Sequence, residues 1–535
     1  MKQFRLFILL CLLASPALSQ NDLHGDSLAS DFRYLVKLLE ATHPDPYSGF
    51  GGKVFFHEAA FRVEHELRRT SGSRQSFFDQ ASTFLSHLQD GHTYLFAPPA
   101  DPKEGQRQLP LQIRTIPNDI ILQSVPHEYK HLLGSRLTGV NGCDMKAILA
   151  HTAAIHASEN LYDCYANLCR HINREHFLKQ VFPDITDSVR LSLITPEGEN
   201  TEITLPLLSR QEIENIKLQH TGSWPAYSDK QLEYHFADTK KQVMIININS
   251  IMARDNFEYM QKQGLKDLYR QLEFYYQNIL KKEMPADTLQ AVRELPSFAE
   301  TFDKMLREMK KENSSTLIID LRNNSGGWTP ITDATLYQLF GDRFLQMDMG
   351  MKFYRLISPL YMQKIQNDLQ SFNRQRGTNY AFGDYTFSVD ATDTTDVEKK
   401  RADFIRYCMC SVPEKLKELH GKPLYTPEHI YVVTNDRTFS AAFHYTFYLW
   451  RMGATIVGIP SGQAPNTYME QTLFRLPHTR MEGSISNSMQ VCLPTNDPRA
   501  KTLYPDLMPD YEDYRKYNFD NHTEVLYLLD RIKRR

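Results

Sequence analysis

The stretch that most constrains the fold of this chain is residues 430–450, where an apolar run, a polar turn and an apolar helical pattern follow one another. Residues 430–433 are apolar and mostly β-branched, which predicts a buried strand. Residues 434–437 are polar and turn-forming, and Thr438 is predicted to cap the following helix. Beyond the turn, large aromatic side chains recur at helical spacing, at Phe439, Phe443, Phe447 and Trp450. The stretch therefore predicts a strand, a turn and a helix, with Ser440 where the turn meets the helix.

Ser440 is a candidate nucleophile because of this position. A hydroxyl at the start of a helix lies beside backbone N–H groups that have no helical partner and beside the positive end of the helix dipole. Both features stabilise an oxyanion. Taken alone, capping of the helix is the commoner role for a serine in such a place. Two other stretches of the chain favour the nucleophile.

The first of these is a glycine-containing loop after a second apolar run. Residues 317–319 predict a buried strand, and the polar loop 320–327 that follows ends in Gly326 and Gly327. Paired glycines let backbone N–H groups approach a ligand closely, as an oxyanion hole requires. Most loops rich in asparagine and glycine are plain turns, so this loop is informative only together with Ser440.

The second stretch is Asp-Gly-His-Thr at residues 90–93, which follows an amphipathic helical pattern at residues 77–88. It places His92 just beyond the end of a predicted helix. A single histidine is more often structural than catalytic. The serine, the glycine loop and the histidine together favour a catalytic site over three unrelated turns.

The segments LIIDLRNNSGG, TFSAA, VGIPSG and DGHT together resemble those of the tail-specific (C-terminal processing) serine peptidases, in the branch related to the tricorn core. The resemblance implies an α/β fold with a crotonase-like (ClpP/crotonase) catalytic core and Ser440 as nucleophile. It implies an oxyanion hole formed by the N–H of Ala441 and that of Gly326 or Gly327. The expected activity is hydrolysis of polypeptide substrates, with no metal or organic cofactor.

The resemblance also implies a general base. Many family members carry a lysine in the loop after the strand predicted at residues 455–458, and in this chain Gln463 takes the nearest place. A glutamine side chain cannot accept the proton of a serine. The tricorn-like branch uses a histidine in a motif like residues 90–93, which implies that His92 deprotonates Ser440.

Two positions depart from that branch. Its members have a serine directly before the histidine, where this chain has Gly91. They also carry a glutamate near the C-terminal end, shortly before a Pro-Asp pair. The nearest acid in this chain is Asp497, which is therefore the expected third catalytic residue.

The N-terminus is expected to be a signal peptide. Residues 1–5 are basic, residues 6–13 are apolar, and residues 17–19 match a small-residue cleavage pattern. The mature chain is thus expected to be periplasmic or secreted, with no transmembrane segment. The expected organisation is a signal peptide at 1–19, a helical domain at 20–98, a β-rich domain at 99–215, and a catalytic core at 216–535 with helical insertions near 256–311 and 349–420.

The middle domain is expected to be PDZ-like because residues 134–142 resemble the G-x-x-L-x-x-V-N-G pattern of PDZ modules, although an ordinary β-rich spacer explains the segment nearly as well. An apolar run at residues 242–251 predicts the first buried strand of the core. The 61 basic and 64 acidic residues nearly balance, which gives no electrostatic basis for binding nucleic acid or an anionic membrane. The alternative function is a non-catalytic ligand- or peptide-binding protein on a peptidase scaffold.

Overall fold

The computed structural model describes residues 23–69, 71–98, 107–223, 231–265, 267–389 and 396–534. The predicted signal peptide at residues 1–19 lies outside these ranges. Within them, no helix is both long enough and apolar enough to cross a membrane. The fold is mixed α/β, with a helical N-terminal region and three β-sheets.

The N-terminal region is helical, as the sequence predicts. Its elements are α1 (Gly25–Thr42), a 3₁₀ turn (Ser48–Phe50), α2 (Lys53–Arg69), α3 (Arg74–Ser86) and the short strand β1 (Tyr94–Leu95). Apolar residues at helical spacing, including Phe32, Leu35 and Leu39, form the buried face of α1. This face shares one apolar core with Leu476 and Ile485, so the helices are anchored to the C-terminal half of the chain.

The middle region is built on a seven-stranded antiparallel sheet. Its strands are β2 (Gln112–Ile116), β3 (Asp119–Pro126), β4 (Arg136–Val140), β5 (Cys143–Asp144), β6 (Ser188–Ile194), β7 (Asn200–Pro206) and β8 (Leu218–His220). The order is β2-β3-β4-β6-β7, with β5 paired to β4 and β8 paired to β3. Its helical elements are a 3₁₀ helix (His127–Leu132), α4 (Met145–Ile155), α5 (Leu161–His171), α6 (Glu175–Val181) and α7 (Arg210–Glu214). Tyr162 and Leu168 of α5 belong to the same apolar core as sheet residues Leu122 and Val189, so α5 packs on this sheet.

The remaining elements belong to the C-terminal part of the chain, from residue 231 onward. The strands are β9 (Leu232–Phe236), β10 (Val243–Ile248), β11 (Thr316–Asp320), β12 (Lys352–Leu356), β13 (Tyr385–Val389), β14 (His429–Thr434), β15 (Thr455–Gly458), β16 (Asn466–Arg475) and β17 (Glu482–Val491). The first helices are α8 (Arg254–Lys262), α9 (Leu268–Asn278), α10 (Thr288–Arg293), α11 (Phe298–Glu312), a 3₁₀ turn (Thr329–Ile331), α12 (Thr332–Phe340) and α13 (Asp342–Gln346). The later ones are α14 (Pro359–Lys364), α15 (Leu369–Arg376), α16 (Val397–Tyr407), α17 (Pro413–Lys417), α18 (Ala441–Arg451), a 3₁₀ turn (Pro498–Ala500), α19 (Tyr511–Lys516) and α20 (Thr523–Arg534).

The central sheet has the strand order β15-β14-β11-β10-β9 and is parallel except for β9. Its three inner strands are the apolar runs that the sequence predicts at residues 242–251, 317–319 and 430–433. Helices α11 and α18 share an apolar core with one face of the sheet, and α20 covers the other face. Burial of both faces explains why these strands are continuous apolar runs rather than alternating ones.

Parallel pairing of β11 with β14 determines where the polar loops lie. Asp320, the last residue of β11, is paired with Val433 near the end of β14. The loops that follow therefore leave the same edge of the sheet side by side, at the carboxyl ends where open α/β sheets bind ligands. These loops contain the glycine pair and Ser440.

A third sheet links the N-terminal region to this edge. Its order is β1-β17-β12-β13, with β16 also paired to β17. Tyr94 of β1 pairs with Ser484 of β17, which brings the preceding Asp-Gly-His-Thr turn to the C-terminal part of the chain. Residues 349–420, expected to be a helical insertion, supply the strands β12 and β13 as well as four helices.

Candidate active site

Ser440 lies at a sharp turn between β14 and α18. Its backbone has φ 53° and ψ −122°, and its side chain makes no capping hydrogen bond to the helix. A non-glycine residue at positive φ costs on the order of 1–3 kcal/mol and is typical of functional sites. The prediction that Thr438 caps α18 is wrong, because the Thr438 hydroxyl donates to the carbonyl of Leu321, 3.0 Å away.

The turn is held by Gln463. Its side-chain oxygen accepts the backbone N–H of Ser440. Gln463 is fully buried, and its own N–H donates to the hydroxyl of Ser461 at 3.0 Å. The residue in place of the family lysine therefore fixes the backbone of the candidate nucleophile.

The glycine loop is joined to the same turn by two asparagines. The carbonyl of Asn324 accepts the N–H of Phe439 at 3.0 Å, and its side-chain amide donates to Ile248 at 2.8 Å. Asn323 and Asn435 exchange two hydrogen bonds of 2.9 Å each. These contacts keep the loop and the serine turn in one fixed arrangement.

Gly326 packs directly against Ser440. A Cβ at position 326 would lie 2.7 Å from Cβ of Ser440 and 2.9 Å from the nitrogen of Ala441, closer than real Cβ atoms approach other atoms. The N–H of Gly326 donates to Oδ1 of Asn324 at 2.9 Å. By contrast, the N–H groups of Ala441 and Gly327 have no hydrogen-bond partner within the described ranges.

A buried ion-pair network lies beneath this loop. The side chain of Arg322 is fully buried and pairs with Asp320 at 2.7 Å and with Glu524 at 2.6 Å. Arg114 also pairs with Glu524, at 2.6 Å. Although burial favours the neutral acid, the two guanidinium groups lower the pKa of Glu524 to about 2. Loss of one partner would leave a buried charge unpaired, so the network fixes the start of the loop.

His92 lies in a hydrogen-bonded turn, residues 90–93, which is attached to β17 through Ser486. Oδ1 of Asp90 accepts the N–H of His92 at 2.8 Å, and Oδ2 accepts the hydroxyl of Thr93 at 2.5 Å. Thr93 in turn accepts the N–H of Ser486 at 2.9 Å. His43, fully buried, lies 3.3 Å from Oδ2 of Asp90. Although burial opposes ionisation, the bond to His43 and its charge hold the pKa of Asp90 at about 2.

The His92 ring lies against the serine turn. Its centroid is 5.1 Å from that of Phe439, the residue before Ser440. Within the described ranges no hydrogen bond joins His92 to Ser440. Catalytic hydrogen bonds are often long or poorly aligned without substrate and tighten only when substrate binds. Burial opposes the charged imidazole, but nearby carboxylates, foremost that of Glu159, outweigh burial and raise the pKa of His92.

The acid next to His92 is Glu159 rather than the expected Asp497. Oε1 of Glu159 lies 3.6 Å from Nδ1 of His92, and both side chains are almost fully buried. Asp497 caps the 3₁₀ turn at Pro498–Ala500, and its carboxylate pairs with Arg499 at 2.7 Å. The structure thus places the His92 ring against Phe439, the residue before Ser440, whereas the carboxylate of Asp497 pairs with Arg499.

Three of these side chains could also offer ligands to a metal ion. One ligand atom from each of Asp90, His92 and Glu159 lies within 4.8 Å of the others. Both oxygens of Asp90 already accept hydrogen bonds from the turn. This use of Asp90 favours a hydrogen-bonded network over a metal centre.

Comparison with known proteins gives a family and a fold. Residues 291–481 match peptidase family S41. Mature CPAF is 15% identical, with a TM-score of 0.55 over 93% of this chain and 96% of that chain. CPAF complexed with lactacystin is 14% identical, with a TM-score of 0.54 over 94% of this chain and 97% of that chain. The photosystem II D1 C-terminal processing protease is 12% identical, with a TM-score of 0.38 over 91% of this chain and 94% of that chain. No curated protein matches.

Proposed function

Because this chain belongs to the S41 family of tail-specific serine peptidases, we propose that it hydrolyses polypeptides through an acyl-enzyme on Ser440, with His92 as general base. The observation that carries the proposal is the turn at Ser440, where the serine side chain makes no capping hydrogen bond and the next backbone N–H, that of Ala441, has no hydrogen-bond partner within the described ranges. A structural serine has no need of either feature.

The oxyanion hole consists of the N–H groups of Ala441 and Gly327. Of the two glycines expected from the sequence, Gly327 has the available donor, since that of Gly326 is bonded to Asn324. Gly326 contributes by allowing the loop to approach Ser440 closely. Loss of one oxyanion donor typically lowers the rate by about a hundredfold or more.

The proton of the attacking hydroxyl passes to His92. Oγ of Ser440 forms the bond to the scissile carbonyl carbon while Nε2 of His92 takes the hydroxyl proton. The imidazolium then donates this proton to the leaving amine. Water hydrolyses the ester in the reverse sequence, and His92 again acts first as base and then as acid.

We assign residues 216–535 to a crotonase-like core and residues 99–215 to a PDZ-like middle domain that selects polypeptide segments by strand addition. The signal peptide at residues 1–19 directs the chain to the periplasm or the exterior. No metal or organic cofactor takes part.

The test is hydrolysis of casein, an unstructured protein, by purified wild type and S440A at matched purity. We expect slow hydrolysis by wild type and only background hydrolysis by S440A. Equal background rates for both, together with tight binding of an apolar ligand or a peptide, would instead establish the non-catalytic binding protein.

A further inference from the structure

Glu159 bridges three parts of the chain at the candidate site. It lies in the turn before α5 of the middle region, and its side chain is 1% exposed. Oε2 accepts the N–H of Ala464 at 3.0 Å, and Oε1 accepts the N–H of Gly91 at 3.3 Å. A buried carboxylate is stable only when its oxygens are satisfied, so these contacts fix its position.

Glu159 is also the acid best placed to contact the His92 ring. Nδ1 of His92 is buried and has no hydrogen-bond partner within the described ranges. Oε1 of Glu159 lies 3.6 Å from it, and Oδ1 of Asp90 lies 3.9 Å away. Two further titratable groups, Asp163 and His444, interact electrostatically with His92.

The hydrogen bonds of Asp90 separate the two candidate acids. Oδ1 of Asp90 already accepts the N–H of His92, and Oδ2 is shared by Thr93 and His43. Within the described ranges, Oε1 of Glu159 accepts one hydrogen bond, a long one of 3.3 Å from the N–H of Gly91, and it retains lone-pair capacity. A small closing movement would therefore bring Nδ1–H into contact with Glu159.

Resting on the proposed function, we propose that Glu159 is the positioning residue for His92. Its carboxylate accepts a hydrogen bond from Nδ1–H of His92, which leaves Nε2 unprotonated and available to Ser440, and it stabilises the imidazolium once Nε2 has taken the hydroxyl proton. Burial raises the pKa of Glu159, while nearby His92 and the hydrogen bonds from Gly91 and Ala464 favour the carboxylate that this role requires. The role matches that of the carboxylate in serine-protease triads, but here the acid comes from the middle region rather than from the segment after the nucleophile.

The origin of Glu159 couples docking of the middle region to formation of the site. The side chain of Asn160 donates to the carbonyl of Ser461 at 3.0 Å, next to the Glu159 contact with Ala464. Gly462 packs against Asp163, where an added Cβ would lie 3.3 Å from Cα of Asp163. The middle region therefore completes the site as well as contacting it.

The experiment compares kcat/KM for casein as a function of pH in wild type, E159Q and D497N. Glutamine keeps the size of the side chain and removes its charge. We expect E159Q to lose about 10²- to 10⁴-fold in kcat/KM and to move the midpoint of the rising limb to lower pH. D497N tests the competing acid, Asp497. We expect E159Q to show the larger loss of kcat/KM, together with the shift of the pH midpoint.

Four controls separate this role from a structural or metal-binding one. E197Q makes the same change at an exposed turn of the middle region and is expected to match wild type. N160A weakens docking but leaves the charge, so a loss of rate without a shift of midpoint is expected. If E159Q does not fold, E159D replaces it in the comparison. We expect E159D to lose part of kcat/KM, because its shorter side chain places the carboxylate farther from His92. EDTA is expected to leave wild type unchanged.

Several outcomes would overturn the inference. These are an E159Q midpoint equal to that of wild type, wild-type kinetics in E159D, a larger loss in D497N, or an EDTA effect that reproduces E159Q. If wild type itself gives no hydrolysis dependent on Ser440, the proposed function fails. If wild type is active and E159Q behaves like it, only the role of Glu159 fails.

Discussion

The side-chain oxygen of Gln463 accepts the backbone N–H of Ser440, so the residue at the place of the lysine expected from the family resemblance holds the backbone of the proposed nucleophile. The bond supports a serine at positive φ, a conformation that requires stabilisation by its surroundings. A carboxamide can give this support but cannot remove the serine proton.

We expect Q463A to lower kcat/KM for casein by about tenfold, because one backbone hydrogen bond is worth roughly 0.5–1.5 kcal/mol. H92A should lower it by about a thousandfold or more, because the proton acceptor is lost. Steady-state assays of both variants at one pH check the ranking. A Q463A variant as inactive as H92A would mean that Gln463 takes part in the chemistry.

The pH profile of wild type should report His92. Only neutral imidazole accepts the serine proton, so activity should rise as pH rises through the pKa of His92. The carboxylates around the ring raise this pKa, which places the midpoint of kcat/KM above the ordinary histidine value of about 6.5. A midpoint below that value would contradict the burial and charge arrangement described for His92.

Gly326 offers a test of the close packing at the nucleophile. G326A would place a methyl group 2.7 Å from Cβ of Ser440, so we expect kcat/KM to fall by about a hundredfold or more. G350A is the matched control, since Gly350 also has positive φ and no atom lies within 4 Å of the added Cβ. Equal losses in both variants would attribute the effect to backbone strain alone.

The ion-pair network under the glycine loop should make stability depend on acid. The pKa of Glu524 is lowered to about 2 in the folded chain, so its contribution is complete above the ordinary value of about 4.3 and is lost as pH falls toward 2. We expect the apparent Tm of wild type to exceed that of E524Q clearly at pH 7. The gap should narrow on acidification to pH 3, as measured by circular dichroism. A gap independent of pH would contradict the pairing with Arg322 and Arg114.

The central sheet could be predicted because its strands are buried on both faces. Residues 242–251, 317–319 and 430–433 are continuous apolar runs, and each forms an inner strand. The strands within 349–420 were not predicted. The side chains of β12 are mostly half-buried or exposed, and β12 is held in its sheet by pairing with β17, more than a hundred residues later. The residues of β12 alone do not indicate that it pairs with a strand so far along the chain.

The site was predictable where its residues form local motifs. Ser440 and the glycine pair stand at strand ends, where the chain must turn. Glu159 carries no local signal, because its contacts with Gly91 and Ala464 span 68 and 305 residues. The prediction for Thr438 failed for a similar reason, since its hydroxyl bonds to Leu321 on the neighbouring loop.

The most direct test of the central claim is covalent labelling by a fluorophosphonate, which reacts with an activated serine. The measurement is intact mass and peptide mapping of wild type and S440A after exposure to the same probe at neutral pH. We expect one adduct on wild type, located at Ser440, and none on S440A. Equal labelling of both proteins, or an adduct on another residue, would contradict Ser440 as the nucleophile.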